Sequence, residues 1–202
     1  MSYQETSLQQ AIADRRSIRI LSTDSSVTKE RLEKIIQNSL CTPSAFSMQS
    51  SRLVVLMDKE HKHFWKLVEE ALAPLLKDAE SLAATKERLA GFAAGNGTIL
   101  FFENKETVEA MQKNFPSYSD NFTVWSEHGN AMLQYALWLS LSADGIAASL
   151  QHYNPLVDSA VQSTWGVDSK WKLIAQMPFG KAAETPGERA FLPFDTVVSF
   201  HE

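Results

Sequence analysis

The chain has 202 residues, 44% hydrophobic and 21% charged, with a formal net charge of −5. That balance suits one globular domain over residues 1–202 and argues against nucleic acid as a partner, since backbone phosphates need an extended basic surface. No run approaches the length of a membrane span, and the lone Cys41 cannot form an internal disulfide, which fits a reducing, cytoplasmic setting.

Met1-Ser2-Tyr3-Gln4-Glu5 is polar and lacks the apolar stretch of a secretory signal. Residues 7–16 read as a helix capped by Ser7, with Leu8, Ala11 and Ile12 on one face. Thr28 caps the next helix, Glu30 lies in its first turn, and Leu32, Ile35, Ile36 and Leu40 form its buried stripe before Pro43 stops it. Residues 44–51 make a polar loop. Arg52–Met57 reads as a central strand, apolar on both faces. A helix from Lys59 to Lys77 is interrupted at Pro74, and another covers 81–94 before the reversal at Gly95-Asn96-Gly97.

Thr98–Phe102 is a second strand, and 105–114 is helical up to Pro116. A long helix runs from Trp125 to Ala143 with Met132, Leu133, Ala136, Leu137 and Leu141 buried, and Gly145 marks its end. A helix over 156–165 precedes a strand at Trp171–Gln176, closed by Pro178-Phe179-Gly180. Phe194–Phe200 alternates as a last strand. Four or five strands that do not alternate regularly with single helices imply an α+β fold. The aromatic residues Trp125, Tyr135, Trp138, Trp165 and Trp171 are most simply core, and Cys41 reads as a small hydrophobe at a helix end.

The densest chemistry lies in Asp14-Arg15-Arg16-Ser17-Ile18-Arg19. Three guanidinium groups and a hydroxyl inside an acidic chain suggest one discrete anion, and paired planar donors suit phosphate oxygens. A solvated basic helix end is the plainer alternative. No dinucleotide fingerprint, P-loop, nucleophile elbow or zinc-helix motif is present. His61 and His63 lack a third ligand, so no metal site is expected.

Three separated segments then combine. Arg15–Arg19 follows the first helix. Thr42-Pro43-Ser44-Ala45-Phe46-Ser47-Met48-Gln49-Ser50-Ser51-Arg52 precedes a strand. Ala148-Ser149-Leu150-Gln151-His152-Tyr153-Asn154-Pro155 is followed by Trp171 through Lys181. In this order and spacing the chain resembles the FMN-dependent nitroreductase family. It is most similar to a short branch of bacterial and fungal members that includes copper-induced nitroreductases and fatty-acid-response proteins. The stretch from Phe115-Pro116 to Glu127 resembles that branch too. Ser47 stands where its members usually carry Asn, and a hydroxyl lacks the amide's paired donor and acceptor.

The resemblance implies a central, mostly antiparallel sheet flanked by helices, and an intertwined homodimer with FMN sites at the subunit interface. Carried over by motif, Arg15, Ser17 and Lys181 hold the phosphate, with Arg16 in the same loop and Arg19 near the pyrimidine edge. Ser44, Ser47 and Gln49 come from the other subunit. Leu150, Gln151 and His152 border the flavin ring, and the flavin rather than a side chain carries the hydride chemistry. The implied function is NAD(P)H-dependent, ping-pong reduction of nitroaromatics, quinones or similar electron-poor acceptors, with NADH or NADPH as donor. A flavin-binding stress or regulatory module with little turnover is the alternative.

Overall fold

The computed structural model describes residues 7–202; the polar Met1–Glu5 stretch lies outside them. Five strands form one sheet: β1 (Leu21–Ser22), β2 (Ser51–Met57), β3 (Gly97–Asn104), β4 (Ala147–Ala148) and β5 (Trp171–Ala182). The order is β1-β5-β3-β2, with β4 also paired to β5, and every named strand pair is antiparallel. Around it lie α1 (Leu8–Asp14), α2 (Lys29–Ser39), α3 (Asp58–Leu72), α4 (Ala79–Ala93), α5 (Lys105–Asn114), α6 (Ser119–Ala143), α7 (Asp158–Trp165) and the single turn α8 (Phe194–Val197). The architecture is the expected α+β.

The caps fall where the sequence puts them. Ser7 accepts from the Gln10 amide at 3.2 Å and Thr28 from that of Arg31 at 3.3 Å. One core packs Ile99, Phe101, Ala175 and Met177 against Leu133, Leu137 and Leu141 of α6 and Leu32 of α2. The opposite sheet face packs Leu100, Phe102 and Leu173 against Phe64, Trp65 and Val68 of α3, Phe92 of α4 and Val161 of α7. Strand β3, buried along nearly its whole length, separates the two.

That second core holds a buried polar cluster. His61 and Thr98 are wholly buried, and Trp65 nearly so. Trp65 Nε1 donates to Thr98 Oγ1 at 2.9 Å, and the hydroxyl is then free to donate to His61 Nδ1, 2.8 Å away. With the hydroxyl donating in this way the ring proton sits on Nε2, which has no partner among the described residues. Desolvation pushes the His61 pKa down to about 4, against a weaker opposing pull from the Ala93 and Phe92 carbonyls. His63 is outside this cluster, its ring against Trp165 at 5.6 Å.

Several sequence expectations need correction. Among the described residues strand β2 pairs only with β3, so it lies at the sheet edge and not at its centre. Helices α3 and α6 both contact it, so an edge strand carries the apolar run of a central one. Strand β5 runs through Pro178 instead of ending there. The Pro178 carbonyl accepts from Ser149, so its missing N–H also faces the short strand β4, and the ladder to β3 survives. No strand forms at Phe194–Phe200, where one exposed helical turn appears instead. The short strands β1 and β4 have no sequence signature.

Helix α6 begins at Ser119, before the expected Trp125. Leu40 is 56% exposed and Met132 41%, so neither is core. Tyr135 is exposed, the four tryptophans at 125, 138, 165 and 171 are only partly buried, and Cys41 is exposed. The long α6 presents a second, solvent-facing stripe that includes Val124, Met132 and Tyr135.

Candidate functional site

Helix α1 ends at Asp14, and Arg15 leaves it with an extended ψ of 123°. The chain is then stitched to the sheet: Ser17 bridges Ala148, and the Ile18 amide donates to the Ala148 carbonyl at 3.0 Å. Ile18 is buried, which leaves Arg16 and Arg19 to the outer side. Gly91 of α4 permits this path, since a Cβ there would lie 3.0 Å from the Arg19 carbonyl oxygen.

A cavity of about 410 Å³ opens beside this turn, lined by Arg15, Arg16, Ser17 and Arg19 on one side and by Glu184–Gly187 and Arg189 on the other. Four guanidinium groups meet one carboxylate there. That carboxylate is already engaged, because Glu184 Oε1 accepts from the Arg19 and Ile20 amides at 2.5 and 3.1 Å. Arg16 donates to the Gly187 carbonyl, and Arg189 to that of Arg15.

The Arg15 guanidinium stacks over Trp138 at 4.2 Å from the ring centroid. Its Nη1 is buried and has no partner among the described residues. Desolvation pulls the Arg15 pKa down, followed by the charge of Arg189, with Arg16 adding a smaller push and Tyr135 opposing. A buried donor without an acceptor is costly, and so are like charges held together. A dianionic phosphate at this place would relieve both, so the residues present fit that group.

Arg189 is the site residue that sequence reasoning missed. No motif marks it in the polar segment that follows Lys181. Lys181 itself does not line the cavity. It pairs with Ser22 at the sheet edge, beside Asp24. The carboxyl of Asp24 sits below the ordinary range chiefly through the Ser26 amide, 2.8 Å away, with a lesser contribution from Lys181.

The Ala148–Pro155 segment continues from β4. Gln151 and Gln176 exchange both backbone bonds, at 2.7 and 2.9 Å. Gln176 also fixes the next turn, accepting the Tyr153 amide on Oε1 at 2.7 Å and donating to Asn154 Oδ1 at 3.2 Å. By strand alternation the amides of Leu150 and His152 face away from Gln176. Leu150 packs against the first core, and His152 is exposed.

Ser44–Gln49, in the segment before β2, is a tight helical turn with unusual dihedrals. Phe46, Ser47 and Gln49 have φ of 53°, 53° and 47°, in the left-handed region that bulky residues avoid. Ser44 Oγ accepts from the Gln49 amide at 3.0 Å, and Met48 is buried against Val108 and Phe122. The Phe46 ring, about half exposed, lies parallel to Trp125 at 5.9 Å and 4.9 Å from Phe115.

Ser44 and Gln49 line a separate cavity of about 240 Å³ with Thr42, Arg52 and Gly129, and Ser47 lines neither this cavity nor the cationic one. Within one chain, then, the arginine turn and the Ser44–Gln49 loop are not brought together. A further cavity of about 220 Å³ between α5 and α6 contains none of the sequence-predicted residues.

The Nitroreductase family profile matches residues 12–181. The putative nitroreductase HBN1 of Saccharomyces cerevisiae is 29% identical over 173 residues, covering 85% of each chain. Nitroreductase CinD from Lactococcus lactis, solved in complex with chloramphenicol, superposes with a TM-score of 0.88 at 33% identity, over 97% of this chain and 100% of that one. A nitroreductase with bound FMN from Desulfitobacterium hafniense shares the fold, with a TM-score of 0.71 at 18% identity over 98% of this chain and 100% of that one.

Proposed function

The chain belongs to the nitroreductase family of oxidoreductases, and from that premise we propose that it is an FMN enzyme. On this reading it oxidises NADH or NADPH and reduces flat, electron-poor acceptors such as nitroaromatics and quinones in a ping-pong cycle. The observation that carries this reading is the arginine cavity, whose buried Arg15 Nη1 lacks an acceptor and whose one carboxylate is already committed.

In this assignment Arg15, Arg16, Ser17 and Arg189 hold the FMN phosphate, with Lys181 contributing at longer range from the sheet edge. Arg19 stands toward the pyrimidine edge, where a fixed cation favours the electron-rich form of the ring. Leu150, Gln151 and His152 border the ring, offering backbone groups from a strand edge that Gln176 holds rigid. When bound, FMN supplies the hydride chemistry. The protein orients donor and acceptor in turn over one open face.

Ser44, Ser47 and Gln49 belong to the site of a second copy. Their separation from the arginine cavity within one chain supports a homodimer with interfacial sites. So does the apolar surface left open by one copy, notably Phe191 and Phe200, which are 79% and 76% exposed.

An absorbance spectrum of the purified protein, repeated anaerobically after adding NADPH or NADH, tests the reading. A flavin spectrum that bleaches with either donor is expected. A colourless protein that takes up no added FMN overturns it, and a yellow protein that neither donor bleaches favours the binding-module alternative.

A further inference from the structure

The Ser44–Gln49 loop holds three residues at positive φ, and a loop of that kind persists only when its surroundings fix it. Its own hydrogen bonds are local: Ser47 to the Ser44 carbonyl, Met48 to that of Ala45, and Gln49 to the Ser44 hydroxyl. Its downstream end is held by Arg52, whose Nη1 donates to the Gln49 carbonyl at 2.8 Å, and, one step further on, by a carboxylate in the sheet. Glu103, on β3, is 4% exposed. Its Oε1 accepts from Ser51 Oγ at 2.7 Å and from Asn130 Nδ2 of α6 at 2.7 Å.

Asn130 is locked in turn. Its Nδ2 also donates to the Phe102 carbonyl at 3.0 Å, and its Oδ1 accepts from Gln134 at 2.6 Å. Beside it, the loop packs on the helix at Gly129, where an added Cβ would lie in ordinary contact with Ser44 Cβ at 3.4 Å. The Asn104 amide then holds the Ser50 carbonyl at 2.9 Å. One buried oxygen thus ties the end of the loop, the middle of α6 and the end of β3 together.

We propose that Glu103 is a positioning residue for cofactor binding, acting through Ser51 and Asn130 to hold Ser44 and Gln49 in their binding geometry. This rests on the FMN reading above. The carboxylate itself touches no part of the loop that would meet the cofactor. Its Oε1 serves as a two-way acceptor while its Oε2 is buried without a partner among the described residues, so Glu103→Gln can keep the accepting oxygen and place its amide at the unpaired position, whereas Glu103→Leu leaves the Ser51 hydroxyl hydrogen without an acceptor and Asn130 Nδ2 with only the Phe102 carbonyl and Ser51 Oγ.

The test measures FMN affinity and amide exchange in the full chain. In FMN-free protein, Glu103→Leu should speed exchange at Ser47, Met48 and Gln49 at least tenfold. It should also weaken FMN binding, followed by flavin fluorescence, about tenfold, while Glu103→Gln stays within twofold of wild type in both. Val161→Ala, in the opposite core, provides a variant of lowered stability that should change neither. Ser51→Ala, a milder cut in the same network, should weaken FMN binding about threefold and serves if Glu103→Leu does not fold. Normal FMN affinity in Glu103→Leu or in Ser51→Ala, or a matching loss in Val161→Ala, overturns the proposal. Failure of the wild-type protein to bind FMN instead overturns the reading beneath it.

Discussion

The His61 cluster and the arginine cavity handle polarity in opposite ways. Around His61, a hydroxyl, an indole N–H and a neutral imidazole bond to one another inside an apolar core, and the imidazole Nε2 is left without a partner among the described residues. Around Arg15, guanidinium groups converge on an open cavity and one buried donor is left over. The first arrangement is wholly buried and uncharged, and it contributes to folding. The second is incomplete, which is expected of a region shaped by what it binds. Each leaves one buried nitrogen without a partner among the described residues, and the two differ in charge and in access to an open cavity.

The largest effect should come from emptying the cavity of its cations. Arg15→Ala with Arg189→Ala should weaken FMN binding by about 100-fold or more, at roughly 1.5–3 kcal/mol for each charged hydrogen-bonding group. Equilibrium fluorescence titration measures this. The thermal midpoint of the FMN-free protein should move by no more than about 4 °C. A double variant that binds FMN like wild type would remove the distinction between the two clusters.

Acid should act on the other cluster. His61 has a folded-state pKa of about 4, below its value of about 6.5 in an unfolded chain. Between those values the unfolded chain takes up a proton that the folded chain refuses. Stability from this group is therefore fully present above about pH 6.5 and is lost as the pH falls towards 4, with a limit of about 3 kcal/mol. Urea midpoints from neutral to acid pH should show this loss, and His61→Gln should flatten the profile relative to wild type. Parallel profiles for the two proteins would mean that the imidazole takes up its proton alike in the folded and unfolded chains.

Thr98→Val should cost about 1–3 kcal/mol, because Trp65 Nε1 loses its acceptor and His61 Nδ1 its donor. Its FMN affinity should stay unchanged. The smallest effect sharpens the edge of the cavity. Lys181→Ala should weaken FMN binding by no more than about threefold, as expected for a partly screened charge outside the lining. A loss equal to that of Arg189→Ala would place Lys181 among the phosphate ligands after all.

Much of the site could be read locally, because each piece is a short segment with its own chemistry. Arg15–Arg19 holds its charges within one turn, and the cavity forms around it. Gln151 is anchored within the predicted segment itself. Arg189 could not be read in this way, since its relevance comes from the C-terminal segment folding back over the end of α1. Glu103 was equally silent. A carboxylate at the end of an apolar strand looks like a solvated terminus until α6 and β2 close over it.

The sequence by itself determined the helices with good caps, the two long apolar strands and the arginine turn, because caps, hydrophobic runs and local charge act over a few residues. It also carried the family, through motifs whose order survives along the chain. Only the tertiary structure decided that β2 lies at an edge, that β5 continues through Pro178, that β1 and β4 exist at all, and that the arginine turn and the Ser44–Gln49 loop stay apart within one chain. Those outcomes depend on which segments meet across the sheet, and strand pairing and burial are properties of partners far apart in the chain.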